Sequence, residues 1–505
     1  MLTDPVNLGD LIDRSQDQNR IAIIDLRSPE QPREYSYAEM DRLSDGVAQY
    51  LTGRGFARGT RIAIASLNRA EYIACYFGIM RAGMVVVPVN VKLPQDIIDF
   101  IVDDAEIALA FTDQANRQKL ASLVETIDFD DQTPDGFHAV VRPSEFETVT
   151  PESQELAQIL YTSGSTGRPK GVLLSHAGQL WVLKAKALPP EMAEERQILA
   201  QPLFHMNGLI VTKCIFLSGA SLVVMPSFTP TAYTEALAKY RVTSAFAIPT
   251  MFARVVKELA GRADLDLSAL KQIILASAPL TLAMIERVRN AIPSATVGNS
   301  YGTTEAGAAV FGKHPDGIPT PDLSLGYPVP GSEVKLVDGP NENEGTLLMR
   351  NPALMVGYNK LPEKTAQVMR DGWYVSGDVM RRDEQGFFFF FGRADDMFVC
   401  SGENIYPNEV EKMLERHAQI QQAVIVPLPD DERGHVPVAF IVTAPGASLT
   451  VDEIKRFAIE NGPAYQHPRR VEIRSDLPLA GTNKIDRTLL TQRARELEAS
   501  GNWSQ

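Results

Sequence analysis

The chain has 505 residues, which is too long for one hydrophobic core and suits about two to four domains. Its 49 basic and 63 acidic residues leave a net charge of −14, which argues against a dedicated nucleic-acid-binding protein. Cys75, Cys214 and Cys400 are too far apart for a disulfide framework or a CxxC zinc site, and burial in a reducing compartment is expected for them. No apolar run reaches the about 20 residues that cross a bilayer, and the N-terminus lacks the pattern of a secretory signal. A soluble, cytoplasmic protein is therefore expected.

The first 115 residues alternate between helix and strand signals. A capping box at Ser36 and Glu39 predicts the start of a helix that ends near Gly53. Two more helices are expected, one over 71–83 and one from about 94. Three apolar strands are expected over 61–65, 84–89 and 107–111. Apolar strands separated by helices predict a parallel sheet that is covered on both faces.

The same alternation returns after residue 195, and then the pattern changes twice. From about 331 to 391, short strand-like pieces separated by glycine, aspartate and asparagine predict a smaller β-rich subdomain. Beyond Asp396, mixed helix and strand signals with a second capping box at Thr450 and Glu453 predict a compact unit. We therefore predict an α/β fold: a large body of doubly wound α/β subdomains plus the β-rich subdomain, residues 1–394, and a small α+β domain, residues 395–505.

The segment from Tyr161 to Gly171 carries the clearest chemical signal: Tyr-Thr-Ser-Gly-Ser-Thr-Gly-Arg-Pro-Lys-Gly. Its glycines let the backbone approach a polyanion, its hydroxyls and N–H groups can donate to phosphate oxygens, and Lys170 supplies charge. It is not a Walker A loop, because two residues separate Gly167 from Lys170 and glycine follows the lysine. The segment predicts a phosphate-binding loop of a different kind.

Further segments follow this loop in a fixed order: Pro202–Gly208, Ala276–Pro279, Asn299–Glu305, Tyr374–Asp378, Gly392–Met397 and Leu479–Arg487. The ordered set resembles the adenylate-forming superfamily, which includes acyl-CoA synthetases, adenylation domains of peptide synthetases and firefly luciferase. The resemblance covers nearly the whole chain. It implies ATP, Mg²⁺ and CoA as cofactors, and an AMP-binding body joined by a hinge at Asp395 to a mobile lid.

The resemblance also implies roles for single residues. Lys484 is expected to be the catalytic lysine carried by the lid, Glu305 the Mg²⁺ ligand and Thr304 a hydroxyl donor to the α-phosphate. His205 is expected to contact the substrate carboxylate or gate its pocket. Asp378 can accept both ribose hydroxyl groups, because a carboxylate has two acceptor oxygens.

Larger sets of residues are implied for the three ligands. The ATP- and AMP-binding set is Thr162, Ser163, Gly164, Ser165, Thr166, Gly167, Lys170, Ser277, Ala278, Asn299, Ser300, Tyr301, Gly302, Thr303, Asp378 and Arg393, with Tyr301 offering a flat face for the purine and Arg393 contacting the ribose. The CoA-binding set is Ser401, Gly402, Glu403 and Asn404. The substrate-pocket set is His205, Met206, Asn207, Ala276, Gly302, Ala306, Gly307 and Ala308.

The chain departs from the superfamily pattern at two positions. Ser401 replaces the first glycine of a pair in the segment that lines the pantetheine tunnel, and Asn483 precedes Lys484 where glycine is more common. The leading hypothesis is an acid–CoA ligase for an aromatic or medium-chain acid. The alternatives are an enzyme that loads an acyl group onto a carrier protein, a luciferase-like oxygenase and a non-catalytic nucleotide-binding scaffold. The resemblance further suggests a lysine acetyltransferase and deacetylase acting on Lys484.

Overall fold

The computed structural model describes residues 4–162, 168–186, 190–278, 280–480 and 484–504. The helices of these ranges are α1 Tyr37–Gly53, α2 Ala70–Arg81, α3 Gln95–Asp104, α4 Phe137–Val140, α5 His176–Ala185, α6 Met206–Ser218, α7 Pro230–Lys239, α8 Pro249–Leu259, α9 Leu282–Ala291, α10 Pro362–Val368, α11 Pro407–Leu414, α12 Val451–Asn461 and α13 Arg487–Ser500.

The strands of the body are β1 Ile21–Asp25, β2 Arg33–Ser36, β3 Arg61–Ala65, β4 Val85–Pro88, β5 Ile107–Thr112, β6 Thr126–Asp128, β7 Leu156–Thr162, β8 Lys170–Ser175, β9 Arg196–Leu199, β10 Ser221–Val224, β11 Ser244–Ala247, β12 Gln272–Ala276, β13 Thr296–Ser300, β14 Phe311–Gly312, β15 Ser324–Pro328, β16 Glu333–Asn341, β17 Glu344–Arg350, β18 Gly357–Tyr358, β19 Met369–Arg370, β20 Trp373–Arg382 and β21 Phe388–Arg393. Those of the lid are β22 Phe398–Cys400, β23 Glu403–Ile405, β24 Ile420–Asp430, β25 Gly434–Thr443 and β26 Arg470–Arg474.

Two mixed sheets form most of the body. The first runs β18-β8-β7-β4-β3-β5-β6, and its strands from β7 to β6 are parallel. The second runs β13-β12-β11-β9-β10-β1-β2 and is parallel from β13 to β1. One apolar cluster contains residues of both sheets and of the helices between them, including Ile64 of β3 and Leu222 of β10. Every residue of α2 is buried, because this helix lies within that shared core.

A third, antiparallel sheet covers the end of the body that leads to the lid. Its order is β14-β15-β21-β20-β17-β16, with β19 beside β20. The lid has its own sheet, β23-β22-β25-β24 with β26 parallel to β25, and its own apolar core with members on α11, α12 and α13. The lid core therefore holds its helices and strands together as one unit.

Most sequence-based expectations for the elements are confirmed. Both capping boxes form, since Ser36 and Thr450 accept from the backbone N–H groups of Glu39 and Glu453 while these glutamates bond back. The three cysteines are buried and free. None of the helices in the described ranges is long and apolar enough to cross a membrane.

Two expectations about the sheets were wrong in detail. The body sheets are not wholly parallel, because β2, β8 and β18 run antiparallel to their neighbours. The β-rich region begins with the strands at Phe311 and Ser324, before residue 331. Local periodicity indicates that a segment is a strand, but it does not indicate the direction in which that strand pairs with its neighbour.

Candidate active site

The predicted phosphate loop lies, in the sequence, between two paired strands of the first sheet. β7 and β8 are antiparallel, and Thr162 lies opposite Lys170 at their open end. The predicted residues Ser163, Gly164, Ser165, Thr166 and Gly167 lie outside the described residues, so their roles stay predictions. The Thr162 hydroxyl oxygen is buried and has no hydrogen-bond partner among the residues that the structure describes. Such an unpartnered donor beside a lysine suits a phosphate oxygen.

Lys170 and Glu305 meet at a tyrosine that the sequence did not suggest. The Tyr358 hydroxyl donates to Glu305 Oε1 at 2.9 Å, and Lys170 Nζ donates to the same hydroxyl at 3.3 Å. The ammonium group also lies 4.4 Å from the centroid of the tyrosine ring. Tyr358 is 4% exposed, and its burial followed by the charge of Glu305 raises its pKa. The phenol therefore keeps its proton and orients the carboxylate beside the lysine.

The segment that carries Glu305 is a tight loop after β13. Thr303 and Gly307 pair across it, and the Thr303 hydroxyl accepts from the N–H of Ala306 at 3.0 Å. A Cβ atom at Gly302 would lie 2.7 Å from the carbonyl oxygen of Gly307, so glycine is required there. Thr304 is half-buried in the same loop. The loop holds Glu305 through its backbone as well, since its carbonyl accepts from the N–H of Met355 at 2.7 Å.

Asp378 and Arg393 form a cross-strand pair in the third sheet. They lie directly opposite each other on β20 and β21, and Arg393 Nη1 is 3.1 Å from Asp378 Oδ1. The other carboxylate oxygen accepts from the hydroxyl of Tyr301. Burial raises the pKa of Asp378, while Tyr301 and Arg393 oppose that rise. Asp378, Arg393 and Tyr301, all predicted to bind the nucleotide, thus come together as one group.

Arg393 also reaches the predicted hinge. Its Nε and Nη2 groups donate to the two carboxylate oxygens of Asp395 at 2.7 and 3.0 Å. This two-point ion pair lowers the pKa of Asp395. The guanidinium therefore links Asp378, which is predicted to bind the ribose, to Asp395, the predicted hinge.

Lys484 of the lid lies within electrostatic reach of the same group. It lies three residues before the start of α13, and its carbonyl accepts from the N–H of Ala480 at 2.7 Å. Part of its side chain stays exposed, yet lost hydration lowers its pKa, with Arg393 acting in the same direction and Asp378 opposing. The residues 481–483 before it, including Asn483, lie outside the described residues. The lid is thus in a position that brings its lysine to the cleft.

His205 is the N-cap residue of α6, within electrostatic reach of Lys484. Burial, and then the charges of Lys484 and Lys92, lower its pKa to about 4, so the imidazole is neutral near pH 7. Within the described ranges, its buried Nε2 atom has no hydrogen-bond partner. A neutral ring nitrogen left unpaired in this place can hydrogen-bond a substrate carboxylate, as the sequence-based hypothesis requires.

The other predicted nucleotide and pocket residues lie at the ends of β12 and β13, in the adjoining loops and in the first turn of α6. Asn207 Nδ2 donates to the Ser277 hydroxyl at 2.6 Å, and Ser277 has a φ of +65° in the turn after β12. Asn299 instead donates to the carbonyl of Leu323 at 3.1 Å. The remaining ones are Met206, Ala278, Ser300 and Ala308, which are half-buried, and Ala276, Ala306 and Gly307, which are buried. Their contacts with ligands stay predictions.

The predicted CoA-binding residues form a hairpin that faces a different cleft. Ser401 and Gly402 are the turn between β22 and β23, with φ values of +53° and +86°. Glycine tolerates this conformation and serine is strained in it, which explains why a glycine pair suits the segment. Gly402, Glu403 and Asn404 line a cleft of 1640 Å³ between body and lid, whose described lining includes none of the predicted nucleotide-binding residues.

Two observations support a fit to ATP and Mg²⁺. The unpartnered Thr162 hydroxyl and the nearby Lys170 suit a phosphate chain, and the Glu305 carboxylate oxygens suit a hard cation. In the described ranges, no group of three or more histidine, cysteine or acidic residues could form a protein cage for a metal. Glu305 would then share the cation with phosphate oxygens and water, which is the usual mode for Mg²⁺.

Comparisons with known proteins match this arrangement along the chain. Residues 13–359 match the AMP-binding enzyme family, and residues 409–484 match the AMP-binding enzyme C-terminal domain. The chain belongs to this family, within the adenylate-forming superfamily. It is an AMP-forming acid–CoA ligase with ATP, Mg²⁺ and CoA as its cofactors.

Individual relatives span nearly the full length of the ligase. It is 30% identical to a feruloyl-CoA synthase of an Amycolatopsis species, over 89% of this chain and 92% of that protein. It is 28% identical to a long-chain-fatty-acid–CoA ligase of Bacillus subtilis, over 90% of each chain.

Solved structures agree with the fold. An anthranilate CoA ligase in complex with anthranoyl-AMP is 25% identical, with a TM-score of 0.86 over 98% of this chain and 99% of that chain. ATP-bound MatB from Rhodopseudomonas palustris is also 25% identical, with a TM-score of 0.87 over 97% of this chain and 99% of that chain.

The bridge at Tyr358 yields a prediction. Tyr358→Phe keeps the ring beneath Lys170 and removes the donor to Glu305, so adenylation should slow by about tenfold because a hydrogen bond to a charged group is lost. Pyrophosphate release measured against Mg²⁺ concentration should also require more Mg²⁺ at half-maximal rate. Tyr240→Phe, on α7, is the matched control. An unchanged rate and Mg²⁺ requirement in Tyr358→Phe would show that the bridge has no catalytic role.

Proposed function

We propose that this acid–CoA ligase converts an aromatic or medium-chain carboxylic acid to its acyl-AMP and then to its CoA thioester. One observation carries the proposal: Lys484 of the lid lies within electrostatic reach of Asp378, Arg393 and His205, since its charge lowers the pKa of His205 while the charges of Asp378 and Arg393 act on its own pKa. Tyr374 lies near this group and near Glu305. Its burial, and then the charges of Glu305, Tyr358 and Asp378, raise the pKa of its phenol, while Arg393 lowers it. The cleft thus combines cationic, acceptor and donor groups suited to a carboxylate and a triphosphate.

The first half-reaction brings two anions together. A carboxylate oxygen attacks the α-phosphorus of ATP, the bond to the bridging oxygen of the β-phosphate breaks, and pyrophosphate leaves. Lys170 and Lys484 supply positive charge that is in place before the reaction, which lowers the barrier more than charge that must reorganise. Neutral His205 can donate from Nε2 to the carboxylate. Mg²⁺, when held by Glu305, supplies further charge for the phosphate oxygens.

The second half-reaction requires the lid to move. The CoA sulfur attacks the carbonyl carbon of the acyl-AMP, and AMP leaves as the C–O bond breaks. Because the predicted CoA-binding hairpin faces the other cleft while Lys484 is in place, one lid position does not serve both steps. A rotation about Asp395 between the two half-reactions accounts for both sets of residues.

The acid itself is constrained mainly by the walls of its pocket. His205, Asn207 and Ser277 would provide polar contacts near the carboxylate, and the small side chains of Ala306 and Ala308 would leave room for a ring or a chain. None of the predicted pocket positions is an arginine that could hold a second carboxylate. The relatives' names include both feruloyl and long-chain fatty acyl groups, which fits either an aromatic or an aliphatic acid.

The direct test is pyrophosphate release with ATP and Mg²⁺ across a panel of benzoates, cinnamates and fatty acids of graded length, each with and without CoA. Turnover that requires one class of acid and CoA is expected, and it would identify the substrate class. Turnover with acid but equal with and without CoA would contradict thioester formation with CoA. A single burst that CoA does not extend would instead favour transfer to a carrier protein, as in the fatty acid–[acyl-carrier-protein] ligase ScoC of Streptomyces coeruleorubidus, which is 29% identical.

Lys484→Ala should separate the two half-reactions. Adenylation should fall by about 10²–10³-fold because a positioned cation that stabilises developing charge is lost. Thioester formation from supplied acyl-AMP should persist, since Lys484 has left the cleft by then. Measuring both rates on one preparation checks the result, and an equal loss in both would contradict the assignment.

Acetylation of Lys484 would remove the same charge, so we propose that a lysine acetyltransferase and deacetylase could regulate the enzyme here. Protein acetylated homogeneously at Lys484 should resemble Lys484→Ala. Full adenylation activity of that protein would exclude this form of regulation.

Asp395→Pro should have the opposite effect. Proline fixes the backbone φ angle of the hinge residue, so acyl-AMP formation should persist while thioester formation falls by about tenfold or more. Asp395→Ala is the control, because it removes the ion pair with Arg393 and leaves the backbone free. If alanine and proline have the same effect, the ion pair and not the hinge rotation is responsible.

A further inference from the structure

One face of α11 connects the lid to the body next to the hinge. Asn408, Lys412 and Glu415 follow at spacings of four and three residues, which places them on the same side of this helix and its C-terminal end. Asn408 Nδ2 donates to the carbonyl of Phe391 at 3.0 Å, and Lys412 Nζ donates to the carbonyl of Phe390 at 3.0 Å. Both acceptors belong to β21, the last strand before Asp395.

A second contact lies at the end of the same helix. Arg287 of α9 in the body donates from Nη1 to the carbonyl of Gln421 in the lid at 3.1 Å. Glu415 is buried beside it, accepts from the N–H of Ala423 at 3.0 Å, and faces Thr281 and Arg287. The body therefore contacts the lid at two places, since β21 accepts hydrogen bonds from α11 and α9 donates one to β24.

One ion pair connects α11 to the segment of the lid that carries Lys484. Arg487, in the first turn of α13, donates from Nη2 to Glu411 Oε2 of α11 at 2.8 Å, and from Nη1 to the carbonyl of Ile425 at 2.9 Å. Val410, Leu414 and Leu490 share the lid core, so α11 and α13 move as one unit. Holding α11 against β21 thus holds Lys484 in the cleft.

We infer that Asn408, Lys412 and Arg287 form a latch that keeps the lid in its adenylation position. They are positioning residues, because they act on Lys484 through the lid and touch no reacting atom. The contacts between body and lid must break when the lid turns about Asp395, whereas Arg487 and Glu411 travel together. The inference rests on the proposed two-position lid and adds the residues that set the balance between the two positions.

Lys412→Met tests the latch, since it keeps an unbranched apolar stem and removes the donor to Phe390. Adenylation should fall by about tenfold, because a hydrogen bond from a charged group no longer favours this lid position. Thioester formation from supplied acyl-AMP should stay the same or rise, and the melting temperature should stay close to that of the parent. Asn408→Ala should give a smaller change of the same pattern. Lys455→Met, on α12 of the lid, is the matched control.

Lid position can be measured without activity. The native cysteines are buried, so spin labels should attach only to introduced cysteines. Labels on Gly261→Cys in the body and Ala499→Cys in the lid would report the distance between the two domains. The first position has open space for a side chain, and the second is exposed. With ATP and Mg²⁺ bound, Lys412→Met should reduce the fraction of molecules that show the label-to-label distance of the parent protein. An unchanged distance distribution, or an equal loss in both half-reactions, would overturn the latch. Failure of the proposed function would appear separately, as parent protein that turns over none of the acids.

Discussion

The ion pair between Asp378 and Arg393 is the interaction on which the rest of the site depends. It exists because β20 and β21 pair in a register that sets these two residues opposite each other. A carboxylate that is 5% exposed would be costly without a partner, and Arg393 together with Tyr301 provides partners for both of its oxygens. The same guanidinium then binds Asp395, so the nucleotide site and the hinge share one residue.

A second group, around Tyr358, solves a different electrostatic problem. Lys170 and Glu305 have opposite charges and would form a direct ion pair if nothing lay between them. Such a pair would neutralise the charges that a phosphate or a cation needs to bind. The phenol contacts both and keeps the ammonium and carboxylate groups separate. Preorganised donors and charges of this kind act without reorganisation when substrate binds. The body therefore supplies a fixed site, and the lid supplies the remaining cation.

The ion pair between Arg487 and Glu411 connects the two parts of the lid that contact the body. One part, α11, is bound to the strand that precedes the hinge, and the other part carries Lys484. Contacts that hold a lid in one position also slow its departure, so the latch and the thioester step compete. Such hydrogen bonds should therefore be few and individually modest, because a ligand must be able to shift the balance.

The sequence by itself determined the chemistry and much of the local structure. The capping boxes and the α/β alternation depend on residue types at short spacing, so local physical chemistry predicts them, whereas the roles of Glu305, Asp378 and Lys484 are implied by the resemblance of the ordered motifs to a known superfamily. Only the tertiary structure decided that β1 pairs with β10, about 200 residues later in the chain, and that Tyr358 lies between Lys170 and Glu305. These contacts depend on sheet register and on a buried cluster between distant segments, for which no short-range pattern exists.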